Sequence, residues 1–142
     1  MALTQTSLLQ ARISLLVGSE AAYTNRLFDK NFTLDQSTEE VHSDTYFVDG
    51  TVTDQAISLG KVNTPTFIYI HFESKYNGDN STTDNEAAPV TMKIDGGTAY
   101  QSNYFLAGVT DQTNDAVTST ITFSTASDTD TIVTLLVLGR SS

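Results

Sequence analysis

Apolar side chains recur at every second position along much of this 142-residue chain, the spacing of a half-buried β-strand. The clearest example is Thr66-Phe67-Ile68-Tyr69-Ile70-His71-Phe72-Glu73. Ile68, Ile70 and Phe72 share one face of such a strand, and Phe67, Tyr69, His71 and Glu73 share the other. Both faces carry bulk, so one is expected to pack on a core and the other on a neighbouring strand, loop or subunit. Leu9, Ala11, Ile13, Leu15 and Val17 alternate with Gln10, Arg12 and Ser14, which predicts a first strand. Val90, Met92 and Ile94 alternate in the same way, and over residues 117–124 Val117, Ser119, Ile121 and Phe123 alternate with Thr118, Thr120 and Thr122. Residues 132–138 are almost continuously apolar, which predicts a central strand buried on both faces despite its place near the chain end. Only residues 2–17 approach a helical pattern, and Ser, Thr and β-branched residues interrupt it before Gly18.

Turn residues punctuate these runs. Asp95-Gly96-Gly97 is the strongest turn signal, and Asp49-Gly50 and Ser127-Asp128-Thr129-Asp130 are weaker ones. Pro65 suits the start of a strand and not its middle. Residues 36–44 and 77–86 are polar and acidic and are expected to be loops. The sum is an all-β chain of about eight strands, an antiparallel β-sandwich of jelly-roll type. The expected organisation is a flexible N-terminal arm, residues 1–7, followed by a single domain, residues 8–142.

Composition narrows the function. The chain has 17 acidic and 7 basic residues and a net charge of −10, and its basic side chains are scattered singly. That balance opposes binding to phosphate backbones and to anionic membrane surfaces. There is no cysteine, which removes disulfides, zinc–thiolate sites and thiol nucleophiles. The N-terminus lacks the basic and apolar regions of a signal peptide, and no apolar run approaches membrane-spanning length. Synthesis and folding in a cytoplasm are therefore expected.

No residue pattern points to catalysis, and neither an enzyme nor a cofactor is expected. His42 lies in a polar stretch, His71 alternates out of the clearest strand, and no Gly-x-Ser-x-Gly elbow is present. Of the five glutamates, only Glu73 falls on a well-marked strand, so a paired-carboxylate site is not expected. Asp79, Asn80, Asp84, Asn85 and Glu86 are hard oxygen ligands in one loop, but their spacing does not match a twelve-residue calcium loop. A solvated loop without metal is the expectation. Tyr69, Tyr76, Tyr100, Tyr104 and Phe105 are candidates for stacking on sugars, although tryptophan is absent.

One arrangement of strand ends and turns resembles a known group. Gln55-Ala56-Ile57-Ser58-Leu59-Gly60 is followed by Phe67-Ile68-Tyr69-Ile70. Val90-Thr91-Met92-Lys93-Ile94-Asp95-Gly96-Gly97 then precedes Tyr104-Phe105-Leu106-Ala107-Gly108-Val109, and residues 131–139 close the pattern. This resembles the jelly-roll capsid decoration, or cement, proteins of tailed bacteriophages. The resemblance implies a structural virion protein on the capsid exterior, assembled in a bacterial cytoplasm. It implies a homotrimer that contacts the major capsid protein and stabilises the shell. Phe67, Tyr69, His71, Tyr104 and Phe105 are the residues expected at a subunit or capsid interface. The alternative is a phage fibre or receptor-binding domain that recognises host carbohydrate.

Overall fold

The computed structural model describes residues 5–19, 22–77, 86–109, 114–118 and 120–141. These form ten strands and no helix among the described residues: β1 (Gln5–Ser19), β2 (Ala22–Thr38), β3 (Glu40–Val48), β4 (Gln55–Ala56), β5 (Thr64–Tyr76), β6 (Val90–Ile94), β7 (Tyr100–Gln101), β8 (Tyr104–Gly108), β9 (Ile121–Thr125) and β10 (Thr129–Arg140). The chain divides into two compact units, Met1–Thr38 and Glu39–Ser142. The boundary therefore falls at Thr38, not after residue 7. The arm expected over residues 1–7 is part of β1 from Gln5 onward, and residues 1–4 lie outside the described residues.

The first unit is a two-stranded antiparallel ribbon, with Gln5 opposite Thr38 and Leu15 opposite Phe28. Leu15 and Leu16 face Phe28 and Arg26, so Leu27 is an extra residue that forms a β-bulge. Residues 36–38, expected in a loop, complete β2, and residues 40–44 begin β3. Thr, Ser and Glu there extend strands whose pairing is set by their partners.

The second unit is a β-sandwich of eight strands. One sheet has the order β3-β10-β5-β8 and the other β4-β9-β6-β7, with every pairing antiparallel. From β3 to β10 the chain changes sheet at each step except the turn from β6 to β7. That interleaving is the strand order of a jelly roll. β10 lies between β3 and β5, as its continuous apolar run predicts.

Alternation fills the space between the sheets. β5 contributes Ile68, Ile70 and Phe72, and β10 contributes Val133, Leu135 and Val137. The facing sheet answers with Val90 and Met92 from β6 and Ile121 and Phe123 from β9. The Phe72 and Phe123 rings meet across the core with centroids 5.0 Å apart. Threonines that enter this interior are hydrogen-bonded. Thr131 Oγ1 donates to Ser74 Oγ at 3.1 Å, and Thr129 Oγ1 donates to the Ala126 carbonyl at 2.9 Å.

Local chemistry sets the ends. Asp95 and Gly96 both have positive φ, 50° and 70°, and the Gly97 N–H donates to the Ile94 carbonyl at 2.9 Å. This closes the Asp95-Gly96-Gly97 turn as expected. Asp95 Oδ1 also accepts from Thr118 Oγ1 at 2.6 Å and from the Thr120 N–H at 3.0 Å, which ties the turn to the start of β9. Pro65 lies near the start of β5 opposite Gly139, where the register slips by one residue. A methyl group at Gly139 would collide with the Thr64 carbonyl oxygen and lie 2.8 Å from Val62 Cγ1. Gly139→Ala is therefore expected to cost about 1–3 kcal/mol of sandwich stability by overpacking. A lowered urea midpoint checks this, and an unchanged midpoint would contradict the close approach.

Candidate assembly surface

The outward faces of the two sheets differ in chemistry. On β4-β9-β6-β7 the alternation directs Thr91 and Lys93 of β6, and Thr122 and Ser124 of β9, away from the core. Lys93 Nζ pairs with Asp54 Oδ1 at 2.9 Å. This face has the polar character of a sheet surface in water.

The outward face of β3-β10-β5-β8 is apolar and aromatic. Its register forms rows across the sheet. Phe47, Ile132 and Glu73 lie side by side, then Thr45, Thr134, His71 and Tyr104. Ser43, Leu136, Tyr69 and Leu106 follow, and Val41, Leu138, Phe67 and Gly108 form the last row. Phe47 is 61% exposed, Leu106 59%, Tyr104 55% and Val41 51%. His71 and Tyr104 stack with ring centroids 4.6 Å apart, which gives the middle of the face a flat aromatic pair. The exposed apolar side chains lie at the two edges of the sheet, Phe47 and Val41 on β3 and Tyr104 and Leu106 on β8, with Thr45, Ser43, Thr134 and Glu73 among them.

Four of the five residues expected at an interface share this face: Phe67, Tyr69, His71 and Tyr104. Phe67 is buried within the chain, so it supports the face more than it offers area. Phe105 alternates to the opposite side and packs against the core. Of the most exposed apolar members of the face, Tyr104 was expected, and Phe47, Leu106 and Val41 were not. Residues 40–44 read as polar loop hid Val41, and Leu106 followed from the alternation of 104–108 alone.

The remaining candidates stay apart. His42 lies on β3 opposite Val137, on the inward side of the sheet that carries His71 outward, and packs against Gly60. Glu73 makes an exposed 3.5 Å pair with Lys75, and Glu39 Oε2 accepts from the Ser141 N–H and hydroxyl. The tyrosines proposed as a sugar platform are divided. Tyr69 and Tyr104 belong to one sheet, Tyr100 to the other, and Tyr76 ends β5. A shallow cleft of about 280 Å³ opens where Phe47 and Ile132 meet Tyr76, Asn77 and Asp130. There the Gly50 N–H donates to Asp130 at 3.0 Å and, with Asn77, holds its carboxyl below the usual range. A cleft of about 460 Å³ is lined by residues 87–90 and 101–103, none of which is titratable. Among the described residues no three His, Asp or Glu side chains converge for a metal, and residues 78–85 of the expected acidic loop lie outside those described.

A second apolar surface lies on the ribbon. Ile13 and Leu15 of β1 share a face with Phe28 and Lys30 of β2, and Ile13, Leu15 and Phe28 are each about half exposed. The other face is ionic. Arg12 Nε donates to Asp29 Oδ1 at 3.0 Å, Arg26 Nη1 donates to Asp29 Oδ2 at 3.0 Å, and Ser14 Oγ donates to Asp29 Oδ1 at 2.9 Å. The ribbon is thus amphipathic at a period of two.

Comparison with family models, curated proteins and solved structures finds no match to the chain. Among the described residues no helix is long and apolar enough to cross a membrane.

The Asp29 cluster makes a titration prediction. Hydrogen bonds from Arg12 and then Ser14 lower the Asp29 carboxyl from 3.8 to about 2. Because the folded value is depressed, the ionic contribution to the ribbon is complete above about pH 4 and is lost as pH falls through about 2. A side-chain carboxyl titration by NMR is expected to show this midpoint, and Arg12→Ala is expected to move it back toward the ordinary aspartate value. No movement in the Arg12 variant would contradict the assigned cause.

Proposed function

We propose that the chain is a structural, non-catalytic virion protein that binds the outer surface of a tailed-bacteriophage capsid as a homotrimer and stabilises the shell. The observation that supports this reading is the contrast between the two outward faces of the sandwich. One is threonine, serine and lysine; the other sets Phe47, Val41, Leu106, Tyr104 and Ile132 among Ser43, Thr45, Thr134, His71 and Glu73. Burial of the apolar face against protein is favourable at roughly 25 cal/mol per Å² of apolar surface. The aromatic members are also the residue types enriched at the centres of protein interfaces.

The charge suits the same role. Fourteen acidic side chains against four basic ones in residues 39–142 keep the protein dispersed at high local concentration before assembly. The working surface then achieves contact through shape and apolar burial, and not through attraction of opposite fields. The partners on this reading are further copies of the chain and the major capsid protein.

Co-sedimentation with purified capsids tests the proposal. Leu106→Asp and Phe47→Asp place an unpaired carboxylate in the buried surface and are expected to weaken capsid binding by about tenfold or more. Thr122→Asp on the polar outward face of the other sheet is expected to leave binding unchanged. Capsid binding that is insensitive to Leu106→Asp and Phe47→Asp would contradict the assignment of this face. Absence of any binding by the unaltered chain would overturn the proposed role.

A further inference from the structure

We propose that the β1–β2 ribbon is the element through which copies of this chain associate with one another, ribbon against ribbon through the face that carries Ile13, Leu15 and Phe28. This deepens the homo-oligomeric reading above and rests on it, and assigns self-association to a surface separate from the outward sandwich face.

Charge is the first argument. Residues 1–38 contain three basic side chains, Arg12, Arg26 and Lys30, and three acidic ones, Glu20, Asp29 and Asp35. Their formal charge is zero, so the net −10 lies entirely in residues 39–142. Two sandwich units repel each other at any close approach. Two ribbons carry no net charge of this kind, and on the ribbon's polar side Arg12 and Arg26 share the single carboxylate of Asp29. The formally neutral segment is where like copies meet with less repulsion than sandwich against sandwich, although Lys30, opposite Ile13, shares the apolar face.

Stability is the second argument. A two-stranded ribbon is marginal in water by itself, and these strands are 15 and 17 residues long. Among the described residues β1 pairs only with β2, and neither strand contains proline to protect its open edge. Such a ribbon persists when its apolar face is covered.

Area is the third. Ile13, Leu15 and Phe28 together expose on the order of 300 Å² on one side. Two ribbons joined through that side bury about 600 Å² of apolar surface, which at a typical apolar share is about 1,000 Å² in total. That reaches the threshold of a specific interface. Leu27, the exposed residue of the bulge, adds on the order of 100 Å². A closed ring in which each ribbon meets two others therefore engages more of the available surface than a pair does.

Light scattering on the full chain at micromolar concentration tests the inference. The unaltered chain is expected to have a mass that is a multiple of 15.4 kDa. Leu15→Asp and Phe28→Asp are expected to give the mass of one chain. Asn31→Asp, which adds the same charge on the ribbon's ionic side, is expected to keep the oligomer. Leu106→Asp is also expected to keep it, so loss of capsid contact and loss of self-association are read separately. Near-ultraviolet circular dichroism confirms an intact sandwich core in each variant. Raising the salt from 50 to 500 mM, about a threefold fall in screening length, is expected to strengthen association, because it screens sandwich repulsion. A single-chain mass for the unaltered protein, an oligomer that survives both ribbon variants, or dissociation by salt would each overturn the inference.

Discussion

A sheet that is apolar on both faces has to be covered twice. In the sandwich the sheet β3-β10-β5-β8 is covered on its inner side by Val90, Met92, Ile121 and Phe123 of the sheet opposite, while on its outer side Phe67 and Leu138 are buried and Phe47, Val41 and Leu106 are exposed. The requirement originates in β5 and β10, where residues of both parities are bulky: Ile70 inward and Tyr69 outward, Leu135 inward and Leu136 outward. Their neighbours continue it, with Phe47 on β3 and Leu106 on β8 pointing the same way as Ile132 and Tyr69. A strand can satisfy one core with half its side chains; the other half here faces away from that core.

The two units divide the physical work. The sandwich holds a core of its own and all of the net charge, and its apolar outward face suits a docking role on a larger protein surface. The ribbon has no formal charge, an apolar side and an ionic side, and suits contact between copies. An acidic protein that assembles faces a conflict between solubility and association. On the proposed reading, segregating neutral from acidic segments eases it, because copies then meet through the segment without net charge.

Much of this was legible from alternation, and the failures follow from what alternation lacks. The faces of 66–73 and the central position of 132–138 were readable because each run is long and its two parities differ in kind or share bulk. Phe105 was grouped with Tyr104 although neighbours in a strand point to opposite sides, so one of the two had to face the core. Residues 36–44 read as a loop because Gln36-Ser37-Thr38-Glu39-Glu40 carries no apolar residue, yet long partners in β1 and β10 draw both ends into strands. β4 and β7 have two residues each, too few to show any period. The order of strands, and with it the joining of Phe47 to Ile132 across 85 positions of sequence, is set by long-range pairing that no local pattern encodes.

Hydroxyl-radical footprinting of the full chain, free and bound to purified capsids, is the most direct test of the claim that the second apolar face is covered in the working state. The account predicts protection of Phe47, Tyr104 and Leu106 on binding, while Met92 stays unreactive in both states and Lys93 stays equally reactive. Undiminished reactivity at Phe47, Tyr104 and Leu106 in the bound protein, or protection confined to the threonine-rich sheet, would contradict it.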